Sequence, residues 1–207
     1  LLSYGNTFNG NIASGAGGAI YAGSNADSLI VSSSSFAGND VEPAGQPGGA
    51  IHAEAATNVI QYSSFAYNGQ SSSGVGGIYV PDTGNTAEVH YSAFKFGGIN
   101  PTTFDTITSV VAQGTLSHSE VSDEDPDFSL MPDPGNDNSF GTADDSYGDL
   151  RPAAGSPLLG GGNSSLLLDD ELDLDGDGDI SEDEPYDAAG GARVIGTMEI
   201  GAYEVAE

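Results

Sequence analysis

The sequence predicts an all-β protein: a right-handed parallel β-helix of about five coils, followed by a loop-rich segment stapled by calcium. Three observations predict this fold. Aromatic residues recur at a near-constant spacing in the first half, paired glycines recur between them, and an acidic loop with the spacing of calcium ligands lies near the end. We place the coils at residues 1–121 and an acidic calcium-binding segment, packed on the solenoid, at residues 122–207.

The coil strands are identified by a repeated segment that closes with an apolar residue. LLSYGNTF, LIVSSSSF, NVIQYSSF and AEVHYSAF end at Phe8, Phe36, Phe65 and Phe94, at steps of 28, 29 and 29 residues, and a fifth copy, TLSHSEV, ends 27 residues later at Val121. Five positions earlier lie Ser3, Val31, Ile60, Val89 and Leu116, and two positions earlier lie Asn6, Ser34, Ser63, Ser92 and Ser119. Like residues form columns when coils stack along an axis, so we expect these columns inside a solenoid.

Paired glycines form a further column between the strands. GGAI stands at residues 17–20 and 48–51, and GGIY stands at residues 76–79. Glycine pairs permit sharp turns and a close approach of neighbouring coils. Short β-branched strands separated by Gly, Asn and Ser leave no room for helices, and the period fits about three strands per coil. The alternative, a β-sandwich, has strands at regular spacing but no stacked columns, so the columns favour the solenoid.

The repeats resemble a known group of proteins. FNGN at Phe8, FAGN at Phe36 and FAYN at Phe65, together with GGAI, resemble the repeats of polymorphic outer-membrane proteins and related parallel β-helix proteins, whereas FKFG at Phe94 departs from that pattern. The second half is similar to the tail of β-helix proteins with interchangeable surface anchors, because DEDPDF, GTADDSYGDLRPAAGSPLLGGG, DLDGDGD and IGAYE follow in that order. The resemblance implies a β-helix in an exported protein, in families that include adhesins, structural proteins and enzymes.

The charge is strongly acidic and unevenly distributed. Lys and Arg number 3 against 31 Asp and Glu, which gives a net charge of −28. Such a chain repels nucleic acid and anionic membranes, so we expect no nucleic-acid partner and no membrane insertion. The acidity also serves solubility, but 8 acids precede residue 122 and 23 follow it, which favours divalent cations as counter-ions. There are no cysteines, and the chain begins at Leu1 within a strand pattern, so we expect a processed, exported protein at the cell surface or outside the cell.

DLDGDGDISEDE, residues 173–184, has the spacing of an EF-hand calcium loop. We predict Asp173, Asp175 and Asp177 as side-chain ligands, with Gly178 at the bend. Asp179 would offer its carbonyl, Ser181 a hydroxyl or a bridging water, and Glu184 a bidentate carboxylate. The following PYDAAGG cannot form a helix, so we expect a static structural calcium site rather than a switch. The alternative is a solvated acidic loop.

A second candidate cation loop is DPGNDNSFGTADD. Its potential ligands are Asp133, Asn136, Asp137, Asp144 and Asp145, which would converge around Gly141. Their spacing follows no known loop, so a simple polar turn stays open. Zinc is disfavoured because His52, His90 and His118 are far apart in the sequence, although His90 and His118 fall at neighbouring strand positions.

The sequence favours a non-catalytic role. A polysaccharide lyase of this fold needs a base such as Lys or Arg, and Lys95, Arg151 and Arg193 form no cluster in the sequence. A hydrolase needs paired carboxylates on adjacent coils, and the few coil acids recur in no column. The sequence therefore favours a non-catalytic protein over a lyase or hydrolase, and no catalytic residue is predicted.

We expect an extracellular structural protein whose copies assemble head-to-tail into a fibre or surface layer stabilised by calcium. MEIGAYEV, residues 198–205, reads as a strand that would pair with the open coil of a neighbouring copy. The alternative is a cell-surface adhesin or glycan-binding module that uses exposed aromatic side chains. The candidates for that surface are Tyr62, Tyr67, Tyr79 and Tyr91.

Overall fold

The structure is a computed structural model that describes residues 1–42, 48–69, 76–81, 86–95, 115–119 and 125–205. The described residues contain sixteen β-strands and two short 3-10 helices. The strands are β1 Leu2–Tyr4, β2 Thr7–Asn9, β3 Ile12–Ala13, β4 Ile20–Ala22, β5 Ser28–Ser32, β6 Ser35–Ala37, β7 Asp40–Val41, β8 Ile51–Ala53, β9 Thr57–Gln61, β10 Ser64–Ala66, β11 Ile78–Tyr79, β12 Thr86–His90, β13 Ala93–Lys95, β14 Thr115–Ser119, β15 Phe128–Leu130 and β16 Asp149–Pro152. The 3-10 helices are η1 Gly135–Asp137 and η2 Ser164–Leu166.

The first fourteen strands form parallel sheets in which each strand pairs with the strand one repeat away. The sheet orders are β1-β5-β9-β12-β14, β2-β6-β10-β13, β4-β8-β11 and β3-β7. The register places Ser3 beside Val31, Val31 beside Ile60, and Ile60 beside Val89, as the columns predict. An all-β chain with parallel sheets and almost no helix is consistent with a β-solenoid, so the predicted fold is confirmed at this level.

Apolar side chains stack in rows between the sheets. Phe8, Phe36, Phe65 and Phe94 form a continuous stack with ring centroids 4.8, 4.7 and 4.7 Å apart. Phe36 and Phe65 are completely buried, together with Val31 and Ile60. These distances match the separation of neighbouring strands, because each ring is carried by the next strand of one sheet. The predicted stack is therefore the core of the repeat region.

The serine column marks a corner where the chain leaves one sheet for the next. Ser33, Tyr62 and Tyr91 precede it with φ of 46°, 44° and 44°, in the left-handed region. The hydroxyl of Ser34 donates to the carbonyl of Ser32 at 2.8 Å and accepts from the N–H of Asn6 at 3.2 Å. Equivalent bonds recur at Ser63 and Ser92. A small hydroxyl is therefore needed at each repeat to satisfy a buried backbone group.

The asparagines of the FxxN segments form a ladder at a second corner. The N–H and Nδ2 of Asn11 donate to Oδ1 of Asn39 at 3.1 and 2.8 Å, and the same groups of Asn39 donate to Oδ1 of Asn68 at 3.0 and 2.8 Å. Nδ2 of Asn39 also donates to the carbonyl of Phe8 at 2.9 Å. Each asparagine thus supplies both donors and an acceptor, which explains why this residue type repeats.

The paired glycines permit close contact between repeats. A Cβ atom on Gly49 would lie 2.3 Å from the Cα of Gly69, closer than any real Cβ contact. The isoleucines that follow the glycine pairs lie side by side in the sheet β4-β8-β11, with Ile20 beside Ile51 and Ile51 beside Ile78. The glycine column is therefore a packing requirement, as the sequence predicts.

The register of β14, the fifth strand of the sheet β1-β5-β9-β12-β14, differs from the prediction. Thr86 pairs with Thr115, and Val89 pairs with His118, so β14 follows β12 at a step of 29 residues. The sequence prediction used a step of 27, which would have put Leu116 beside Val89. Leu116 pairs with Ala87 instead, and Ser119 pairs with His90 rather than Ser92. A shift of two residues keeps every residue on the same face of the strand, so the apolar pattern could not separate the two registers. Val121 lies outside the described residues.

The C-terminal segment contains the antiparallel pair β15-β16 and long irregular stretches. It packs its apolar residues on the outer faces of the repeats, in a cluster that includes Tyr62, Tyr91, Leu158 and Ile200. No helix in the described part of the chain is long and apolar enough to cross a membrane.

Residues 198–205 do not form the expected strand. Met198, Ile200 and Ala202 are buried, because the segment lies against its own repeats. The N–H of Gly201 donates to the carbonyl of Tyr91 at 2.8 Å, and the N–H of Ala202 donates to the hydroxyl of Ser64 at 2.9 Å. The predicted strand at residues 198–205 is therefore wrong, whereas its pairing with a neighbouring copy stays a prediction.

Candidate metal site

The acidic loop is closed by a short antiparallel contact. Asp169 and Asp183 form an isolated β-bridge, the N–H of Asp170 donates to the carbonyl of Glu182 at 2.7 Å, and the N–H of Glu184 donates to the carbonyl of Leu168 at 2.9 Å. No helix adjoins the loop on either side between Leu167 and Val205, within the described residues. The loop is therefore a hairpin-like structure without the two helices of an EF-hand.

The first three predicted ligands lie together. Carboxylate oxygens of Asp173, Asp175 and Asp177 are within 4.8 Å of one another. The loop backbone holds these side chains, because Oδ1 of Asp173 accepts from the N–H of Gly178 at 3.0 Å and Oδ1 of Asp175 accepts from the N–H of Asp177 at 3.1 Å. Asp173 itself has a left-handed backbone with φ of 51°, which turns the chain into the loop.

The side chains of the later predicted ligands make other contacts. Asp179 accepts from the N–H and the hydroxyl of Ser181 at 3.0 and 2.7 Å, and these bonds lower the pKa of Asp179. Glu184 is buried, and its carboxylate accepts a hydrogen bond from the hydroxyl of Ser33 in the repeat region. Burial raises the pKa of Glu184. The structure therefore does not bring Glu184 to the three aspartates. Instead, Glu184 anchors the end of the loop to the corner after β5.

Two residues that the sequence prediction did not include lie beside the loop. Carboxylate oxygens of Asp170 and Glu182 are within 4.8 Å of one another and of an oxygen of Asp175. Asp170 precedes the loop and Glu182 occupies its tenth position, so neither fits an EF-hand spacing. The antiparallel contact between residues 168–170 and 182–184 brings them together. The apolar run of Leu166, Leu167 and Leu168 before Asp170 is the one sequence signal for a buried segment there.

The second candidate loop is partly brought together. Carboxylate oxygens of Asp137, Asp144 and Asp145 lie within 4.8 Å of one another. The N–H of Asn136 donates to Asp144 at 2.9 Å, and this bond and the bond from the Thr142 hydroxyl lower the pKa of Asp144.

The other members of this loop make turn contacts. Asp145 accepts from the N–H groups of Gly141 and Thr142 at 2.7 and 2.8 Å. Asp133 lies outside the carboxylate group, where it accepts from the N–H of Gly135 at 3.0 Å. These contacts are those of an ordered polar turn, which was the alternative interpretation.

A buried charge network joins the C-terminal segment to the repeats. The Arg193 side chain is almost completely buried, with Nη1 3.3 Å from Oε1 of Glu204 and its guanidinium 4.7 Å from the ring centroid of Tyr62. Burial and the adjacent Glu199 side chain raise the pKa of Glu204 to about 9. The hydroxyl of Tyr62 donates to the carbonyl of Asn163 at 2.6 Å. This network fixes the segment on the corner formed by Tyr62 and Tyr91.

Each basic side chain of the protein is paired with an acid. Lys95 contacts Asp125, and Arg193 contacts Glu204. Arg151 contacts both oxygens of Asp149 through Nε at 2.9 and 3.1 Å and lowers the pKa of that aspartate. Each of the three basic residues therefore has its own acidic partner.

The histidines and tyrosines that the sequence singled out are placed as follows. Nε2 of His52 lies 2.8 Å from Oε1 of Glu54. Tyr62 and Tyr91 stack at 5.3 Å and are buried, so this pair is not an exposed aromatic platform. Tyr67 packs edge-on against Phe140, and the ring of Tyr79 contacts that of His52 in a tilted arrangement.

One polar cleft lies between the repeats and the C-terminal segment. It has a volume of about 460 Å³ and is lined by Thr7, Asn9, Tyr147, Arg151 and Tyr203, among others.

Comparison of the chain with protein-family models, curated proteins and solved structures finds no match. Function is therefore inferred from the residues of this chain.

Proposed function

We propose that this protein is a non-catalytic, extracellular structural protein, built as a right-handed parallel β-helix of about five coils, whose copies join coil to coil in the presence of calcium. The observation that carries this proposal is the open edge of the sheets. Among the described strands, β1, β2 and β4 each pair on one side only. An unpaired parallel strand offers a full row of backbone donors and acceptors to another chain.

The side chains at that edge support an apolar contact. A cleft of about 430 Å³ is lined by Leu1, Leu2, Phe8 and Ile20, among others, and Leu1 is 60% exposed. The outer face of the Phe8 ring ends the aromatic stack, since Phe36 covers its other face. A second copy that presented the far end of its own stack would continue the row of rings at the same spacing. Such a contact is heterologous and does not close, so repetition gives a filament.

The acidic composition supports a requirement for calcium. Chains of net charge −28 repel one another at close range, and divalent cations on the acidic loops would reduce that charge. The two loops group three carboxylates each, at Asp173, Asp175 and Asp177 and at Asp137, Asp144 and Asp145. Calcium is the cation that such sets of carboxylate oxygens suit best. The extracellular setting rests on the resemblance of the repeats to those of surface proteins.

The pairing of the basic residues supports a non-catalytic role. Proton abstraction by a lyase needs an available base near the proton beside a uronate, and Lys95, Arg151 and Arg193 each contact an acidic side chain. The inward-facing columns consist of apolar side chains that stack on one another. These features suit a scaffold.

Sedimentation velocity and negative-stain electron microscopy of the purified chain, in calcium and in chelator, test the proposal. We expect polymers in calcium and monomers in chelator. Leu1→Lys places a charge in the apolar edge, so this variant should stay monomeric in calcium. Leu130→Lys is the matched control, because Leu130 is 57% exposed but lies on β15, away from the edge. Monomers of the unaltered chain in calcium at every concentration would exclude self-assembly and favour further coils of a longer chain as the cover of this edge.

A second candidate function, glycan binding, is favoured by the polar cleft. Tyr147 and Tyr203 provide aromatic surface there, and Asn9, Thr7 and Arg151 provide hydrogen-bonding groups. Aromatic faces with a few polar groups are typical of carbohydrate sites. Binding of a glycan panel to the monomeric chain, lost in Tyr203→Ala and retained in Tyr21→Ala, would support this function over the purely structural one. Tyr21 is an exposed tyrosine on β4 and serves as the control.

A further inference from the structure

Asp170 is a buried carboxylate with an unused oxygen. The residue is completely buried, and its Oδ2 accepts from the N–H of Leu174 at 2.7 Å. Its Oδ1 has no hydrogen-bond partner among the described residues. Burial without a hydrogen-bond partner costs more free energy for a charged oxygen than for a neutral one. Asp170 therefore needs a bound ligand or a proton at this position.

Asp170 belongs to a group of three carboxylates. Asp170, Asp175 and Glu182 each offer an oxygen within 4.8 Å of the other two. Oε1 of Glu182 is also buried and without a hydrogen-bond partner in the described structure. Partial burial, and then the nearby aspartates, raise the pKa of Glu182. Two members of this group, Asp170 and Glu182, thus each have a buried oxygen without a hydrogen-bond partner among the described residues.

No basic side chain offsets these charges. The chain has 3 Lys and Arg residues, and they pair with Asp125, Asp149 and Glu204. The N-terminal ammonium group donates to the carbonyl of Ser28. A cation or a proton from solution is the remaining source of positive charge, and a divalent cation can be shared by all three carboxylates.

The spacing of the oxygens suits calcium. Ca²⁺ binds oxygen ligands at about 2.3–2.6 Å, so two oxygens on opposite sides of one ion are about 4.8 Å apart. Mg²⁺ binds at about 2.0–2.1 Å in a strict octahedral geometry and usually keeps several waters, so it takes fewer carboxylates than the three grouped here. All three carboxylates are hard oxygen ligands, and soft metals prefer sulfur or imidazole.

We propose that Asp170, Asp175 and Glu182 form a calcium site on the inner side of the acidic loop, separate from the EF-hand-like positions and sharing Asp175 with them. Glu182 takes the place of a closing acidic ligand, because Glu184 is engaged with Ser33. The site would clamp the antiparallel contact between residues 168–170 and 182–184. It rests on the calcium binding of the proposed function but not on self-assembly.

Calcium binding to the full chain, measured by isothermal titration calorimetry and by equilibrium dialysis at concentrations where the protein is monomeric, tests this site. Glu182→Gln removes one ligand without emptying the core, since Glu182 is only half-buried. We expect this variant to bind one calcium ion fewer per chain than the unaltered protein. Glu171→Gln is the matched control, because Glu171 is an exposed glutamate next to Asp170 and lies outside the carboxylate group.

Asp173→Asn separates the two sites. We expect Asp173→Asn to keep the ion that Glu182→Gln loses, and the double variant to lose both. Circular dichroism spectra that match the unaltered protein would show that each variant is folded. Equal calcium binding by Glu182→Gln and the unaltered protein would overturn the inner site while leaving the proposed function intact. A chain that binds no calcium would contradict both.

Discussion

Arg193 and Glu204 bring charges into a part of the C-terminal segment that is closed to water. Arginine keeps its proton in proteins, so the surrounding acids decide how many negative charges this region holds. Glu199 and Glu204 are both buried, and the raised pKa of Glu204 means that one of them carries a proton under ordinary conditions. One ionised carboxylate is then enough to balance Arg193.

This arrangement predicts that stability falls as the pH rises. Glu204 loses its proton near pH 4.5 in the unfolded chain and near pH 9 in the folded one. Between these values the folded state holds a proton that the unfolded state has released, so its contribution is full below about pH 4.5 and is lost toward pH 9. The slope is at most about 1.4 kcal/mol per pH unit, the value for one proton.

Urea unfolding from pH 5 to pH 9 compares the chain with Glu204→Gln, whose side chain is neutral throughout. We expect similar free energies of unfolding at pH 5, and a growing advantage of Glu204→Gln as the pH rises. The raised pKa of Glu184 affects both proteins equally, so its contribution cancels in the difference between their free energies of unfolding. A constant penalty for Glu204→Gln at every pH would mean that Glu204 is ionised and paired with Arg193, contrary to this account.

At the scale of single elements, the asparagine ladder holds the corners of successive repeats in register. Asn39 stands in its middle, with bonds to Asn11, Asn68 and the carbonyl of Phe8. Its side chain is completely buried, whereas Asn11 is exposed at the end of the ladder. Removal of the middle member leaves several backbone and amide groups unsatisfied in the interior, and each costs about 1–3 kcal/mol.

We therefore expect Asn39→Ala to lower the free energy of unfolding by at least about 3 kcal/mol and Asn11→Ala by about 1 kcal/mol or less. Guanidinium unfolding followed by circular dichroism measures both. The paired design controls for the residue type, since the same substitution is made at both positions. Similar losses in the two variants would show that the ladder does not depend on its buried members.

The sequence predicts the elements of the repeats because residues that stack on one another are of the same type and recur once per repeat. Phe36 and Phe65 or Ser34 and Ser63 reveal their contact through spacing alone. Spacing alone could not predict the register of β14, because steps of 27 and 29 residues leave each side chain on the same face of the strand. The contact of Glu184 with Ser33 joins residues 151 positions apart, and no local pattern encodes it. The proximity of Asp170 to Glu182 likewise depends on how the hairpin closes.

At the scale of the whole molecule, the repeats and the C-terminal segment differ in how they are held. The repeats are built from stacked side chains and parallel backbone bonds. The segment has few regular elements and carries most of the acidic charge. It is attached through Tyr62, Ser33 and Lys95, and its own loops carry unbalanced carboxylates. Calcium is therefore expected to matter most for this segment.

Thermal unfolding in calcium and in chelator tests this central claim most directly. The unaltered chain should unfold at a higher temperature in calcium, by an amount that grows with calcium concentration as RT ln(1 + [L]/Kd). Asp175→Asn combined with Asp177→Asn should lose most of this calcium effect, because the two carboxylate groups between Asp170 and Glu182 both contain Asp175, whereas the group of Asp137, Asp144 and Asp145 is unchanged. Asp27→Asn, at an exposed aspartate before β5, should keep the full calcium effect. Equal unfolding temperatures of the unaltered chain in calcium and in chelator would contradict the account.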